Sequence, residues 1–389
     1  MTDTEYMDRA LTLARQGTAL ATPNPMVGAV VVRDGRVLGE GWYDYEGVKH
    51  AEVRALQQAE SGGGARGATL YVTLEPCSHQ GRTGPCSTAV IAAGIGRVVA
   101  AMLDPNPRVS GRGFAQLRAA GLEVEVGLGQ EEAQRLNEAY SKWIRTGLPW
   151  VILKAGMTLD GKISTPPSRL DDGIRTHEWI TSPQARWHVH QLRHQQDAIM
   201  VGVGTVITDN PLLTDRTGLP RRRPLQRIIL DSTLRLPLDA RVVQTVHEDV
   251  IVFCSFAENN KRRALERAGV QVLQVPAQAG RTDIETVMRR LGDLNLLSVI
   301  VEGGSLANWA VLNSGCVDKV FLYYAPKILG GSESVPLAGG EGYRRLEGAV
   351  TLGEYFLHRF GPDFAVEGYV AHGAKADDPG RTPAQEDGI

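Results

Sequence analysis

Hydrophobic and polar residues change period several times along the first half of the chain. Apolar residues recur every three or four positions between residues 7 and 14, which predicts an amphipathic helix. Two strand-like runs follow at 28–32 and 36–40, and Asp34-Gly35 between them is typical of a tight hairpin. The chain is therefore expected to open with a helix and a β-hairpin.

Helices and strands are predicted to alternate through the rest of this half. The predicted helices are 50–59, 86–93, 113–120 and 131–145, and the predicted strands are 68–74, 97–103 and 122–126. Such alternation implies a sheet with helices packed on both faces.

A second alternating series begins after the Thr-Gly-Leu-Pro break at 146–149. Its predicted helices are 183–195, 258–268, 283–291 and 305–313, and its predicted strands are 150–155, 198–203, 227–231, 250–254, 270–275, 297–301 and 319–325. The final residues are polar and rich in Asp, Gly and Pro, a composition typical of disorder. We therefore predict two α/β domains, 1–147 and 148–371, and a disordered tail at 372–389.

Composition and charge narrow the class of protein. The net charge of −2 argues against nonspecific nucleic-acid binding, which needs a basic surface. No apolar run approaches the ~18 residues of a membrane span, and the N-terminus lacks the basic-then-apolar order of a signal peptide. Four cysteines are too few for a disulfide scaffold and suit a reducing cytosol. We expect a cytoplasmic protein that binds neither nucleic acid nor membranes.

Three residues of the first half form a candidate zinc site. His50 stands at a predicted helix start, and Cys77 and Cys86 follow, each directly after a proline. One imidazole and two thiolates leave a fourth tetrahedral position open, as in catalytic zinc sites. A helix N-terminus also favours thiolates. Glu52 lies two residues past His50, where we expect it to move protons between a metal-activated water and a leaving amine.

The spacing of this motif bears on how specific it is. An H-x-E segment followed by P-C-x-x-C is the signature of zinc nucleobase deaminases. Here eight residues separate Cys77 from Cys86 instead of two. A lone histidine or two free cysteines are more often packing residues. Prolines before both cysteines, with H-x-E upstream, favour the catalytic metal site.

The second half carries weaker signals for nucleotide binding. Neither an opening G-x-G-x-x-G nor a G-K-[ST] motif occurs there. Glycines 303 and 304 lie between a predicted strand and a predicted helix, where backbone amides could approach a phosphate. Such turns are also common for structural reasons, so the turn alone leaves both interpretations open. The run Arg221–Arg223 could bind an anion, but we predict a solvated loop.

Four segments of the first half together resemble the bifunctional riboflavin-biosynthesis deaminase–reductase family. They are PNPMVG at 23–28, HAEV at 50–53, EPCSHQGRTGPC at 75–86 and DPNP at 104–107. The long loop between the cysteines is itself a mark of that family. Its reductase half is similar to LKAGMTLDGK at 153–162, WITS at 179–182, TVITDNPLLT at 205–214 and APKILGG at 325–331.

The resemblance covers residues 4–370 and implies both fold and function. It implies a cytidine-deaminase-like three-layer α/β/α domain followed by a dihydrofolate-reductase-like α/β domain. The first domain would hydrolytically deaminate 2,5-diamino-6-(5-phosphoribosylamino)pyrimidin-4(3H)-one with one Zn²⁺. The second would reduce the ribose of the product with NADPH, giving 5-amino-6-(5-phosphoribitylamino)uracil. Family enzymes associate as dimers or tetramers, so a homo-oligomer is expected.

The resemblance also implies residue roles in the deaminase half. Substrate contacts fall on Asn24, at the pyrimidine edge, and on His79, Arg82, Asp104 and Asn106, at the base or the ribose phosphate. His79 and Arg82 are suitable hydrogen-bond donors to a phosphate, and they lie on the loop between two metal ligands. Tyr43 stands where the family often has a histidine.

In the reductase half the implied NADPH contacts are Gly156, Trp179, Thr205, Asp209, Ser232, Gly304, Ser305, Leu306, Ala307, Asn308, Trp309 and Ala310. The implied substrate contacts are His177, Arg193, Leu213, Arg216 and Glu302, with the two arginines as phosphate clamps. Lys154 and Asp209 are assigned to polarise or protonate the sugar carbonyl. His177 replaces a small hydroxyl residue of the family, in a segment that differs from the family's short Ser/Gly-rich turn.

Three other functions remain open at this point. A polynucleotide deaminase shares the H-x-E and paired cysteines, but it would want a basic surface and no second domain of this kind. A reductase could keep zinc for structure alone. A non-enzymatic nucleotide-binding module would need neither Glu52 nor an open zinc position.

Overall fold

A computed structural model describes residues 1–166 and 179–371. The predicted tail at 372–389, and His177 with the segment around it, lie outside the described residues. The elements of the first half are α1 (Asp3–Arg15), β1 (Gly28–Arg33), β2 (Arg36–Trp42), α2 (Ala51–Ser61), β3 (Thr69–Val72), α3 (Cys86–Ala92), β4 (Arg97–Ala100), α4 (Arg112–Ala119), β5 (Glu123–Val126), α5 (Gln130–Leu136) and α6 (Glu138–Thr146).

The elements that follow also alternate, with several short strands. They are β6 (Trp150–Thr158), β7 (Lys162–Ser164), α7 (Pro183–Gln195), β8 (Ala198–Gly202), α8 (Val203–Asp209), β9 (Gln226–Leu230), α9 (Arg241–Gln244), β10 (Val250–Cys254), α10 (Asn259–Arg267), β11 (Gln271–Gln274), β12 (Ala277–Gln278), β13 (Arg281–Thr282), α11 (Ile284–Asp293), β14 (Ser298–Val301), α12 (Ser305–Asn313), β15 (Lys319–Ala325), β16 (Val335–Pro336), a 3-10 turn (Leu346–Gly348), β17 (Leu352–Phe360) and β18 (Asp363–Val370).

The chain divides by its contacts into two compact units. One unit comprises residues 1–151 and 186–302, and the other comprises the described residues of 152–185 and 303–371. The first unit contains a five-stranded sheet of order β2-β1-β3-β4-β5 and a set of parallel strands of order β11-β10-β9-β8-β14. In the second unit β6 and β15 are parallel, and β18 and β17 follow antiparallel.

Close helix contacts on both faces give the first sheet its three layers. A Cβ at Gly28 would lie 2.0 Å from the carbonyl oxygen of Ala10 in α1, and one at Gly39 would lie 2.0 Å from that of Ala55 in α2. Gly39 pairs with Val31. Since Val31 and Gly28 point to opposite faces of β1, α1 and α2 cover opposite faces of the sheet. The predicted α/β/α arrangement is confirmed.

The predicted hairpin is also confirmed, because β1 and β2 pair antiparallel around Asp34 and Gly35. Both turn residues have positive φ, 52° and 74°, as a two-residue turn of this kind requires.

The predicted single helix 131–145 is wrong, because Asn137 divides it into α5 and α6. The Asn137 side chain is buried, accepts a hydrogen bond from the Met26 amide (2.8 Å) and donates one to the Met26 carbonyl (3.0 Å). These long-range bonds favour the non-helical backbone of Asn137, at φ −113° and ψ 22°.

The predicted strands stop at 319–325, whereas the chain adds the hairpin of β17 and β18. Tyr355 and Leu357 on β17 are 61% and 69% exposed, so this strand lacks the buried apolar pattern on which the prediction depends. Across the described residues, each helix is too short or too polar to pass through a lipid bilayer.

Candidate active sites

The three proposed metal ligands come together in the first unit. His50 caps the start of α2, Cys86 is the first residue of α3, and Cys77 lies in the loop after β3. The Nδ1 atom of His50 lies 3.1 Å from Sγ of Cys86 and 3.5 Å from Sγ of Cys77. All three donor atoms lie within 4.8 Å of one another. Ligands at zinc distances in a tetrahedron are roughly 3.3–3.8 Å apart, so one of the two separations already suits zinc and the other needs to lengthen by only a few tenths of an ångström.

Without a metal, contacts inside the cluster shift the pKa values of its members in different directions: the Cys77 contact and burial raise the pKa of the Cys86 thiol, whereas that of Cys77 falls. A hydrogen bond with the Cys86 thiol lowers the pKa of Cys77, and the Cys86 backbone amide donates to the same sulfur at 3.3 Å. A hydrogen bond with Cys77 raises the pKa of His50. Cys77 is thus the cysteine that ionises first, and a bound metal would displace the protons held by His50 and Cys86.

Glu52 lies beside this cluster on the first turn of α2. Its side chain is only 3% exposed, and burial raises the pKa of the carboxyl to about 7. The carboxyl also contacts the Cys86 thiol through a hydrogen bond. A carboxyl with such a pKa can both take up and release a proton near neutral pH.

Asn24 and Tyr43 form the neighbouring wall of the site. The Asn24 side-chain amide donates to the hydroxyl of Tyr43 at 2.6 Å. The Tyr43 ring meets the His50 ring edge-on, with centroids 5.4 Å apart. Tyr43, which replaces the histidine common in the family, therefore links the pyrimidine-edge candidate to a metal ligand.

The loop between the cysteines presents its two basic residues to solvent. His79 and Arg82 are both exposed. Arg82 donates to the Tyr45 carbonyl at 2.8 Å, and its guanidinium lies 4.2 Å from the centre of the Tyr45 ring. This contact gives the exposed Arg82 side chain a defined direction.

Asp104 and Asn106 lie in the loop after β4. Asp104 is buried, which raises the pKa of its carboxyl, although it accepts a hydrogen bond from the Asn106 amide at 2.8 Å. Glu75 accepts from the backbone amides of Asp104 (3.1 Å), Gly111 (2.8 Å) and Gly113 (2.8 Å). Sequence reasoning missed Glu75, although its place two residues before Cys77 was visible.

Two predicted reductase substrate residues form an ion pair. Arg193 on α7 donates to both carboxylate oxygens of Glu302, at 2.6 and 2.9 Å, and to the Thr214 carbonyl at 2.9 Å. The two side chains are 15% and 9% exposed. Arg193 therefore meets any further anion as a group already neutralised by Glu302.

His190 was missed by the sequence analysis. It lies one turn before Arg193 on α7, and its Nδ1 is buried without a hydrogen-bond partner. Burial lowers the pKa of its imidazole, and the charges of Arg193 and Arg216 act in the same direction. A histidine at the i−3 position of a predicted clamp residue was the available signal.

The other predicted residues of this unit lie on helix α8, which follows strand β8, and in the loops that follow α8 and strand β9. Thr205 and Asp209 are on the unpredicted helix α8, Leu213 is buried with a φ of 56°, and Arg216 is exposed. Ser232 accepts a hydrogen bond from the Thr282 amide at 3.0 Å.

In the second unit, Lys154 and Gly156 lie on β6 opposite Phe321 and Tyr323 of β15. Trp179 is 65% exposed, and its carbonyl accepts from Lys327 at 3.1 Å.

The start of α12 fits a phosphate of the implied cofactor. Gly304 precedes the helix in an extended conformation, and the Ser305 hydroxyl oxygen is buried without a hydrogen-bond partner. A positive helix end with an unused hydroxyl suits a nucleotide phosphate. Of the remaining helix residues, Leu306 is half exposed, whereas Asn308 is fully buried and donates to the Leu337 carbonyl at 2.8 Å. Ala307, Trp309 and Ala310 lie on the same helix.

The Arg221–Arg223 run is not the solvated loop that was predicted. Arg221 donates to the carbonyls of His194 (2.7 Å) and Gln196 (2.6 Å), and the three side chains are only 13%, 21% and 22% exposed. The run is held inside the first unit by long-range contacts that local composition does not report.

Family models place both halves in known classes. Residues 1–102 match the cytidine and deoxycytidylate deaminase zinc-binding region, and residues 149–365 match the RibD C-terminal domain. Together with the zinc donor set and the α/β fold, these matches define a zinc deaminase fused to a reductase.

Full-length relatives identify the family. The riboflavin biosynthesis protein RibD of Actinobacillus pleuropneumoniae is 42% identical over 94% of this chain and 95% of its own, and that of Escherichia coli (strain K12) is 41% identical over 94% and 99%. The structure of Acinetobacter baumannii RibD (form 1) superposes with a TM-score of 0.82, at 32% identity over 95% of this chain and 99% of that one. The chain belongs to the RibD family. It is a bifunctional deaminase and reductase of riboflavin biosynthesis, with a zinc-binding deaminase domain and an NADPH-using reductase domain.

Proposed function

We propose that residues 1–147 deaminate 2,5-diamino-6-(5-phosphoribosylamino)pyrimidin-4(3H)-one and that residues 148–371 reduce the product with NADPH. A structure from Thermotoga maritima, with a TM-score of 0.79 and 35% identity over 95% of this chain and 98% of that one, is described as a diaminohydroxyphosphoribosylaminopyrimidine deaminase/5-amino-6-(5-phosphoribosylamino)uracil reductase. The observation that carries the proposal is the buried Glu52 carboxyl against the His50, Cys77 and Cys86 donors.

The deamination follows from the roles of these residues. His50, Cys77 and Cys86 would hold zinc, which when bound supplies a Lewis acid that polarises a water molecule. Glu52 takes a proton from water and delivers it to the amine, so that a C–O bond replaces the C–N bond and ammonia leaves.

Other residues bind the parts of the substrate that do not react, namely the pyrimidine edge, the ribose and the phosphate. Asn24 holds the pyrimidine edge, and Arg82 and His79 on the exposed loop take the phosphate, because a guanidinium and an imidazole suit that anion. Asp104 and Asn106 contact the base or the ribose.

The reduction would use the residues of the second half. NADPH supplies the hydride, and the start of α12 with Ser305 receives one of its phosphates. Lys154 and Asp209 polarise or protonate the sugar carbonyl, and Arg193, Arg216, Leu213 and Glu302 bind the substrate. Gly156, Trp179, Thr205 and Ser232 are assigned to the cofactor.

Mass spectrometry of the products from the diaminopyrimidinone phosphate tests both steps. Without NADPH we expect replacement of an amino group by oxygen, and with NADPH the further addition of two hydrogen atoms. Deamination without reduction would refute the reductase assignment. No mass change in zinc-loaded, folded protein would refute the substrate altogether.

Cellular context and assembly complete the proposal. Four free cysteines support a cytoplasmic enzyme, since a reducing compartment keeps thiols unpaired. We assign a homo-oligomer, a dimer or tetramer, which light scattering of the purified protein would show; a monomer at working concentration would contradict it.

A further inference from the structure

The loop that carries Asn24 is held by residues from the other half of the chain. Residues 19–24 lie in the segment that matches the deaminase model, and Arg222 lies in the segment that matches the RibD C-terminal domain. The Arg222 backbone amide donates to the Ala19 carbonyl at 3.0 Å, and its guanidinium Nη1 donates to the Thr22 carbonyl at 3.0 Å. One residue thus spans both ends of the loop.

A second set of bonds holds the Thr22 side chain. Its hydroxyl donates to the Asp197 carboxylate at 3.2 Å and accepts from Arg223 at 3.3 Å. Arg223 and Asp197 are themselves paired at 3.2 Å, and Asp197 is buried. Thr22 is therefore fixed at its carbonyl and at its hydroxyl, two residues before Asn24.

Arg222 also contacts Tyr45, the residue that holds the proposed phosphate ligand Arg82. Its guanidinium lies 3.6 Å from the centre of the Tyr45 ring, the same ring over which Arg82 lies at 4.2 Å. The Tyr45 carbonyl accepts from Arg82, and Glu46 pairs with Arg222 at 3.3 Å. The ring and its carbonyl thus connect the two guanidinium groups.

We infer that Arg222 is a positioning residue of the deaminase site, which holds Asn24 through Thr22 and Arg82 through Tyr45. This inference rests on the proposed roles of Asn24 and Arg82 in binding the substrate. Arg222 acts on the loop and the ring, at a distance in sequence of 200 residues from Thr22. Deaminase affinity then depends on a residue of the reductase half.

The test uses the full chain with Arg222→Ala. We expect the deaminase KM to rise roughly tenfold to a hundredfold, because misplacing a binding group by about 1 Å has effects of that size. Zinc content, and reduction of the already deaminated intermediate, should match wild type. The matched control is Arg263→Ala, an exposed arginine on α10. An unchanged deaminase KM in Arg222→Ala would overturn the inference.

A double-mutant cycle separates positioning from general destabilisation. Because Arg222 is proposed to act through Asn24 and Arg82, Arg222→Ala should cost clearly less in an Asn24→Ala/Arg82→Ala background than in wild type. Full additivity, or equal losses in deamination, zinc content and reduction, would refute the positioning role. If Arg222→Ala does not fold, Arg222→Lys keeps the charge but loses the planar guanidinium and takes its place in the cycle. Wild type that fails to deaminate refutes the proposed function, whereas an active wild type with an equally active variant refutes only this inference.

Discussion

Two partly buried clusters of ionisable residues in the first unit differ in how their charges are balanced. The possible ligand atoms of His50, Cys77 and Cys86 lie within 4.8 Å of one another, and each can offer a lone pair to a metal. Arg193 and Glu302 form a two-point ion pair that neutralises itself. Once deprotonated, the first cluster brings two thiolates and an imidazole nitrogen together and needs a cation, whereas the charges of the second cancel within the pair. The chemistry of the first cluster by itself therefore points to a metal, whereas the substrate role proposed for Arg193 and Glu302 rests on the family resemblance and not on an unpaired charge.

The largest expected effect comes from replacing one of the three proposed metal ligands. Cys86→Ser replaces a buried thiol by a weaker zinc ligand, so zinc and all measurable deamination should be lost. NADPH oxidation with the deaminated intermediate should persist. Metal analysis and two separate assays check this, with Cys316→Ser as the control. Loss of both deamination and reduction in folded protein would refute the hypothesis that the two active sites work independently.

Removing the proton carrier leaves the metal cluster intact. Glu52→Gln keeps the shape of the side chain but cannot move protons, so deamination should fall by about 10²–10⁴-fold. Zinc content should be unchanged, since Glu52 is not among the three donors. Single-turnover deamination and metal analysis measure the two quantities. The control is Glu60→Gln, exposed at the far end of the same helix, and equal rates in the two variants would contradict the assigned role.

The same contrast explains which features the sequence could predict. The metal cluster could be predicted because its residues lie in short motifs of residue types that bind zinc. The hairpin could be predicted because Asp34-Gly35 is typical of a tight turn. The helix break at Asn137 was not visible, because its cause is Met26, 111 residues away. The contacts of Arg222 with Thr22 span 200 residues. Local sequence patterns predict helices, strands and motifs. Contacts between residues far apart in sequence depend on how the chain packs, which local patterns do not show.

Removing one partner of the Arg193–Glu302 ion pair should lower the stability of the protein. Glu302→Ala leaves the Arg193 charge largely buried without its partner, which should lower the free energy of unfolding by about 3 kcal/mol. Urea denaturation measures this loss. The double variant Arg193→Leu/Glu302→Leu should recover part of it, because no unpaired charge remains. A loss below about 1 kcal/mol for Glu302→Ala would show that the pair is well solvated.

The smallest effect is expected at an exposed pair of the same unit. Arg289 and Glu285 on α11 lie 2.5 Å apart, but both side chains are more than 60% exposed. Water already solvates each charge and the two long side chains lose entropy on pairing, so Glu285→Gln should cost at most about 0.5 kcal/mol. Urea denaturation beside Glu302→Ala gives the comparison directly. If the two variants lost equal stability, burial would not explain why the two ion pairs differ in strength. The difference between the metal cluster and the Arg193–Glu302 pair would then need another physical explanation.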